Sequence, residues 1–246
     1  MSDSSPPVLS LNRLTKRYGD KLALSNVSFS VPQGAAVALV GGNGAGKSTL
    51  IKTVLGFVHG DGGSVEIMGT PHDQTKARAQ LSYLPERFNP PHFFTGLDFL
   101  NYMCTLHEVR FDKAAAIERC EALELDSTFL TKSIRTYSKG MTQKLGLVAT
   151  FLANRQLLIF DEPMSGLDPK ARVLFKQALF ALKDAGKTLF FSTHQLADVE
   201  ELCDTIAILE QGELIFLGSP QGCLEKFPAE TLEKSYIQCV EKRGLF

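Results

Sequence analysis

Residues 41–49 read Gly-Gly-Asn-Gly-Ala-Gly-Lys-Ser-Thr, a glycine-rich run closed by a lysine and two hydroxyl side chains. It fits G-x-x-x-x-G-K-[ST], with Gly41, Gly46, Lys47 and Ser48 at the fixed positions. Small glycines let consecutive backbone N–H groups turn inward and form an anion nest. Lys47 adds a point charge for the outer phosphates of a nucleotide, and the Ser48 hydroxyl is placed to ligate Mg²⁺. The whole run of Gly41, Gly42, Asn43, Gly44, Ala45, Gly46, Lys47, Ser48 and Thr49 is the expected phosphate cradle. Upstream, residues 35–40 (Ala-Ala-Val-Ala-Leu-Val) form an apolar run that suits a buried strand. Downstream, residues 49–55 suit a helix whose N-terminus faces the phosphates. Strand, glycine loop and helix in that order are the setting this loop requires.

Bulk properties narrow the class. A chain of 246 residues with 44% hydrophobic content suits one large domain, or a domain with an inserted lobe. The formal net charge of -1 gives no electrostatic case for nucleic acid or for an anionic membrane surface. Five cysteines are scattered with no C-x-x-C, which reads as ordinary thiols in a reducing compartment. No apolar run approaches the ~20 residues that span a bilayer. The opening Met-Ser-Asp-Ser-Ser-Pro-Pro has neither a basic region nor an apolar stretch, so no signal peptide is expected and the chain is expected to be cytoplasmic.

Residues 1–7 are expected to be disordered, on composition. Strands are expected at residues 8–14, 27–31, 64–68 and 81–84. A proline- and aromatic-rich loop follows at residues 88–94, and Thr95 with Asp98 can cap a helix running to about His107. Residues 111–123 are alanine-rich and helical, and 138–153 read as a long helix. Residues 87–154 therefore form a helical block between strand-rich flanks. Strands resume at 157–160, 188–192 and 205–209, alternating with helices near 170–184 and 195–202, which implies a parallel sheet covered by helices. Gly212 turns the strand ending at Leu209 into another at 213–217. Residues 221–246 read as a short, mixed tail.

Other residues complete the chemistry. Residues 157–162 (Leu-Leu-Ile-Phe-Asp-Glu) form an apolar strand ending in two acids. Ligands of parallel sheets sit at the carboxyl ends of strands. Asp161 is thus placed to hold Mg²⁺ opposite Ser48, and Glu162 to orient and deprotonate an attacking water. A second strand ends at His194, which could hydrogen-bond a γ-phosphate. Ser138 can cap the helix that follows it, making a second phosphate-facing helix start.

Together these motifs resemble the ATP-binding cassette (ABC) ATPases, the nucleotide-binding subunits of ABC transporters. In that family's terms Walker A is residues 41–49, and Walker B is residues 157–161 followed by the catalytic glutamate Glu162. Residues 165–168 match the D-loop and His194 the switch histidine. Residues 137–143 match the signature motif, and Tyr18 the aromatic residue that stacks on adenine. The match runs in order over about residues 8–220. It implies an α/β fold: a RecA-like P-loop NTPase core, an antiparallel β-subdomain and the inserted helical subdomain. It further implies that ATP is sandwiched between Walker A of one subunit and Ser138 and Gly140 of another. The expected partners are a second ATPase subunit, foremost another copy of this chain, and a transmembrane permease subunit.

The departures from the family pattern are informative. Lys139 stands where the signature has its first glycine, and this Ser-Lys-Gly-Met form resembles subunits of ABC-2-type exporters. Glu86 stands where a Mg²⁺-contacting Gln is usual, and a carboxylate can fill the same role. Gly42 replaces the commoner Pro of the P-loop. The competing expectation is a soluble, nucleotide-gated interaction protein of the same fold. A single cassette and the lack of a long coiled-coil insertion weigh against it, and the lack of an N-K-x-D motif weighs against a GTPase.

Overall fold

A computed structural model describes residues 6–242. Residues 1–5 of the segment expected to be disordered lie outside the described residues. In chain order the elements are β1 (Leu9–Tyr18), β2 (Lys21–Val31), β3 (Ala36–Val40), α1 (Lys47–Val54), β4 (Gly62–Ile67), β5 (Thr70–Pro71), α2 (Thr75–Arg78), β6 (Leu81–Leu84), α3 (Gly96–Leu106), α4 (Lys113–Ala122), α5 (Lys139–Leu152), β7 (Leu157–Asp161), α6 (Pro169–Asp184), β8 (Thr188–Thr193), α7 (Leu196–Leu202), β9 (Thr205–Glu210), β10 (Glu213–Gly218), α8 (Pro220–Lys226) and α9 (Leu232–Glu241). Short 3-10 turns at Ser127–Thr131 and Ile134–Thr136 join α4 to α5.

The strands form two sheets. One is antiparallel in the order β2-β1-β4-β5, and the other is six-stranded in the order β10-β9-β3-β8-β7-β6. In the second sheet β9, β3, β8, β7 and β6 are parallel, and only β10 runs against its neighbour. The burial of the strands explains their sequences. Every residue of β3, β7 and β8 is buried, as parallel strands covered on both faces require, so they read as unbroken apolar runs. The second half of β2 alternates buried and exposed residues, the mark of a sheet with one covered face. Phe160, Phe190 and Phe191 are fully buried in the central strands. Each such side chain contributes about 1.5–3 kcal/mol over its exposed state.

The helical block is bounded by clean caps. Thr95 accepts from the Asp98 N–H at 3.2 Å, Asp112 caps α4, and Ser138 accepts from the Met141 N–H at 3.2 Å. The block shares one apolar cluster with the RecA-like core, through residues such as Leu100, Leu145 and Phe160.

The expectation of a mixed tail after residue 220 is corrected. α8 and α9 are capped by Ser219 and Thr231, and they bury Cys223, Phe227, Leu232 and Cys239 in that same cluster. The first two strands are also longer than expected, because polar residues at their exposed outer ends hide the strand pattern.

Candidate functional site

β3 runs straight into the glycine loop, and the loop's shape is enforced by packing. A Cβ on Gly41 would lie 2.4 Å from the Leu209 carbonyl oxygen. Gly46 adopts φ 112, and a Cβ there would lie 2.6 Å from the Ala23 carbonyl oxygen. Neither position accepts a side chain. The Gly212 N–H donates to the Ala45 carbonyl at 2.9 Å, so the β9–β10 turn holds the loop from one side. Gly46 is the N-cap of α1, which turns the free N–H groups of that helix toward the cleft.

Lys47 is buried beneath the loop. Its ammonium donates to the Gly41 carbonyl at 2.6 Å and the Gly42 carbonyl at 3.2 Å, and lies 3.5 Å from Glu162 Oε1. Strand order accounts for the last contact. β8 lies between β3 and β7, so the carboxyl ends of all three open side by side. Glu162 follows β7 with φ 46, a left-handed conformation that swings it off the strand line. Its N–H is held by the Ser192 carbonyl at 3.2 Å and the Ser192 hydroxyl at 3.0 Å. Its other carboxylate oxygen is 2.8 Å from His194 Nδ1. Glu162 therefore bridges Lys47 and His194.

Asp161, one residue back, is buried and accepts from the Ser192 hydroxyl at 2.5 Å. One serine thus orients both acids, one by its proton and one by its lone pairs. Sequence reasoning did not single out Ser192, although its place opposite Asp161 in the β7–β8 register carries the signal. On β6 the Tyr83 phenol is pushed up to about 12, chiefly by burial and then by the negative fields of Asp161 and Glu86. Both carboxylates therefore sit near the same end of β6. Oxygen donors from Ser48, Asp161 and Glu86 fit a small hard cation such as Mg²⁺.

An open cleft of about 240 Å³ lies at this edge, and Asp161 and His194 are not among the residues that line it. It is lined by the loop residues Gly42, Asn43, Gly44 and Gly46, by Lys47, Ser48 and Thr49 of α1, and by Glu86 and Glu162. Tyr18 and Lys21, paired at the β1–β2 hairpin, and Ala23 close its outer side. Tyr18 is 47% exposed, and the Lys16 ammonium lies over its ring, 5.3 Å from the centroid. Lys21 and Ala23 escaped sequence reasoning because they reach the cleft only through the packing of one sheet over the other.

Ser138 and Gly140 do not line this cleft. They sit at the start of α5, where Lys139 lies over the loop after β7: a Cβ on Gly166 would be 2.8 Å from its ammonium nitrogen. The Gln143 side-chain amide donates to the Pro163 carbonyl at 3.3 Å. The signature segment is thus tied to the Glu162 loop of its own chain, and Ser138 at its N-terminal end is exposed.

A glycine nest and buried lysine at the carboxyl edge of a parallel sheet, flanked by strand-end acids, define a P-loop nucleotide-binding protein. The chain matches the ABC transporter family over residues 24–165, more than half its length, and it belongs to that family. It is 38% identical over 200 residues to an uncharacterized ABC transporter ATP-binding protein of Synechocystis, covering 80% of this chain and 56% of that protein. It is 33% identical over 221 residues to Nod factor export ATP-binding protein I of Burkholderia orbicola, covering 88% of this chain and 72% of the relative. The chain thus spans little more than half the length of the first of these relatives. Among solved structures, the ATP-binding subunit of an ABC transporter superposes with a TM-score of 0.86 at 30% identity, covering 95% of this chain and 99% of that one. A dimeric ATP-binding cassette bound to ADP and Pi shares the fold, with a TM-score of 0.78 at 23% identity over 86% of this chain and 98% of that one. Among the described residues no helix is long and apolar enough to cross a membrane.

Proposed function

We propose that this chain is the ATP-hydrolysing subunit of an ABC exporter. In this reading two copies close on ATP, and the motion drives a separate transmembrane permease from the cytoplasmic face of the membrane. The observation that carries the reading is the Lys47–Glu162–His194 chain of contacts at the mouth of the phosphate nest. The P-loop N–H groups and Lys47 bind the β- and γ-phosphates, and Tyr18 stacks on adenine. A water oxygen attacks the γ-phosphorus in line, and the bond to the β-phosphate oxygen breaks. Glu162 accepts the water proton. His194, already paired with Glu162, orients that carboxylate and hydrogen-bonds the γ-phosphate. Ser48, Asp161 and Glu86 would hold Mg²⁺, which when bound would neutralise charge on the phosphate oxygens. The products are ADP and inorganic phosphate.

Ser138 and Gly140 complete the site of the opposite copy, consistent with their position outside this chain's own cleft. The dimeric cassette with ADP and Pi and the Nod factor export relative support the dimer and the exporter reading by likeness. The direct test is phosphate release from Mg²⁺-ATP by the purified chain, together with copurification of a polytopic protein from native membranes. A chain that binds ATP but recovers no membrane partner would favour a soluble interaction protein.

The permease contact is proposed at the aromatic loop before α3. Phe88 packs edge-on against Phe99 with centroids 5.6 Å apart, and Phe94 stacks on Tyr102 at 5.3 Å. Those rings serve the helical block. Phe93 leans on Phe94 with centroids 4.7 Å apart, is 81% exposed, and flanks the groove proposed to receive a coupling helix of the permease. The expected result is that Phe93→Asp releases the protein from membranes in a flotation assay while ATP affinity stays native. Undiminished flotation would refute the contact, and Phe94→Asp is expected to cost stability as well.

A further inference from the structure

Glu162 and His194, 2.8 Å apart, follow the adjacent strands β7 and β8, and each is followed in turn by a helix that sets where its side chain stands. After Glu162 the chain folds back in two turns. The Ser165 N–H donates to the Glu162 carbonyl at 3.0 Å, and the Leu167 N–H donates to the Met164 carbonyl at 3.3 Å. Met164 and Leu167 are buried in the main apolar cluster, and Asp168 caps α6 by accepting from the Ala171 N–H at 2.9 Å. Glu162 and the first turns of α6 are thus one connected piece. His194 is followed directly by α7, whose N-cap Gln195 donates its N–H to the Thr193 hydroxyl at 3.0 Å. Leu196, Val199 and Leu202 bury the inner face of α7.

A buried carboxylate joins the two helices. Asp198 lies in the first turn of α7 and is 6% exposed. Its Oδ1 is 3.5 Å from the Lys176 ammonium, and its Oδ2 is 4.0 Å from Arg172 Nη1. Arg172 and Lys176 stand one turn apart on α6, so both share the face turned to α7. Lys176 also reaches the exposed Glu201 of α7. The charges are paired but thinly hydrogen-bonded: neither Asp198 Oδ2 nor Arg172 Nε has a hydrogen-bond partner among the described residues. Burying a carboxylate in this way costs desolvation that the pairing hardly offsets, and an apolar side chain of similar size would join two helices at least as firmly. Stability is therefore a poor account of Asp198. Its place is a better one. The Glu162–His194 contact ties the two pieces at one end and the Asp198 ion pairs tie them at the other. A charge between two fixed cations sets a register that apolar contacts alone leave free.

We infer that Asp198 is a positioning residue for ATP hydrolysis: by gripping Arg172 and Lys176 it fixes α7 against α6, and so holds His194 against Glu162 in the geometry that orients the attacking water. The inference rests on the hydrolytic reading of Glu162. It gives the ion pairs a part in turnover and none in nucleotide binding, because no residue of α6 or α7 lines the cleft at the phosphate nest.

The test compares Asp198→Asn and Asp198→Leu in the full chain, both near the native side chain in size and both without its charge. Calorimetric titration with Mg²⁺-ATP, steady-state phosphate release and thermal unfolding are measured beside the native protein. The expected result in both variants is a kcat lowered by about 10- to 100-fold, the effect of misplacing a catalytic group by about 1 Å, with Kd unchanged. Tm in Asp198→Leu is expected to hold or rise, because Arg172 and Lys176 keep access to solvent and Lys176 keeps Glu201. Asp198→Glu returns the charge and is expected to bring kcat back toward the native value. Added to His194→Ala, Asp198→Asn is expected to lower kcat no further. A native kcat in both uncharged variants would overturn the inference. So would a kcat that falls in step with Tm, or failure of both variants to fold, since either makes Asp198 purely structural. An undiminished effect in the His194→Ala background, or no recovery in Asp198→Glu, would overturn it as well. Native protein that binds ATP and releases no phosphate would overturn the hydrolytic reading and the inference with it, whereas native turnover left unaltered in both uncharged variants would overturn the inference alone.

Discussion

Glu162→Gln is expected to lower ATP turnover by about 10²- to 10⁴-fold, the usual span for loss of a general base, while ATP still binds. The substitution is nearly isosteric. Its amide can still meet His194, which lies 2.8 Å from the native carboxylate, and the N–H clamp by Ser192 is unaffected. What is lost is the ability to take a proton from water. Removing the negative charge beside Lys47, 3.5 Å away, also leaves the ammonium freer to bind phosphate. ATP affinity is therefore expected to hold or rise as the rate falls. Single-turnover phosphate release measured beside ATP binding checks both. A native rate in this variant would remove Glu162 from the chemistry.

Lys47→Ala is expected to act on binding instead. The ammonium hydrogen-bonds the Gly41 and Gly42 carbonyls and stands by to contact phosphate oxygens. A charge-assisted bond is worth about 1.5–3 kcal/mol, so the loss of its phosphate contact weakens ATP binding by about 10- to 100-fold. The same truncation leaves Glu162 with His194 as its remaining partner and uncouples the loop carbonyls from α1. Binding of a fluorescent ATP analogue would read the effect. The two variants separate the roles: Glu162→Gln binds and does not turn over, and Lys47→Ala fails at the first step. Native affinity in Lys47→Ala would contradict the placement of the phosphates in this nest.

The parts of the molecule legible in the sequence are those where one local cause dominates. β3, β7 and β8 are unbroken apolar runs because both faces are covered, and the glycine loop is fixed by contacts that a Cβ would violate. Glu162 follows from the rule that parallel strands present their carboxyl ends to ligand, whereas His194, by its strand alone an ordinary junction histidine, is singled out by the family resemblance. The helical block was legible from its caps at Thr95 and Ser138.

The rest depends on which element packs on which. β5 and α2 span too few residues to show a period. α8 and α9 went unread because their buried faces mix cysteine and serine with leucine, although the Ser219-Pro220 start and the Thr231 cap were there to be seen. The service of Ser192 to both acids, the arrival of Lys21 at the cleft and the pairing of Asp198 with Arg172 and Lys176 are products of sheet order and helix docking, and no spacing along the chain encodes them.

In the proposed dimer one chain supplies only part of each ATP site, with the α5 end at Ser138 and Gly140 serving the second copy. Sedimentation of Glu162→Gln with and without Mg²⁺-ATP tests it most directly, because that variant is expected to hold its nucleotide. The expected result is a 27.0 kDa species without nucleotide and a species of twice that mass when ATP is bound, with Gly140→Asp abolishing the shift. A protein that binds ATP fully and remains at 27.0 kDa at every concentration would contradict it.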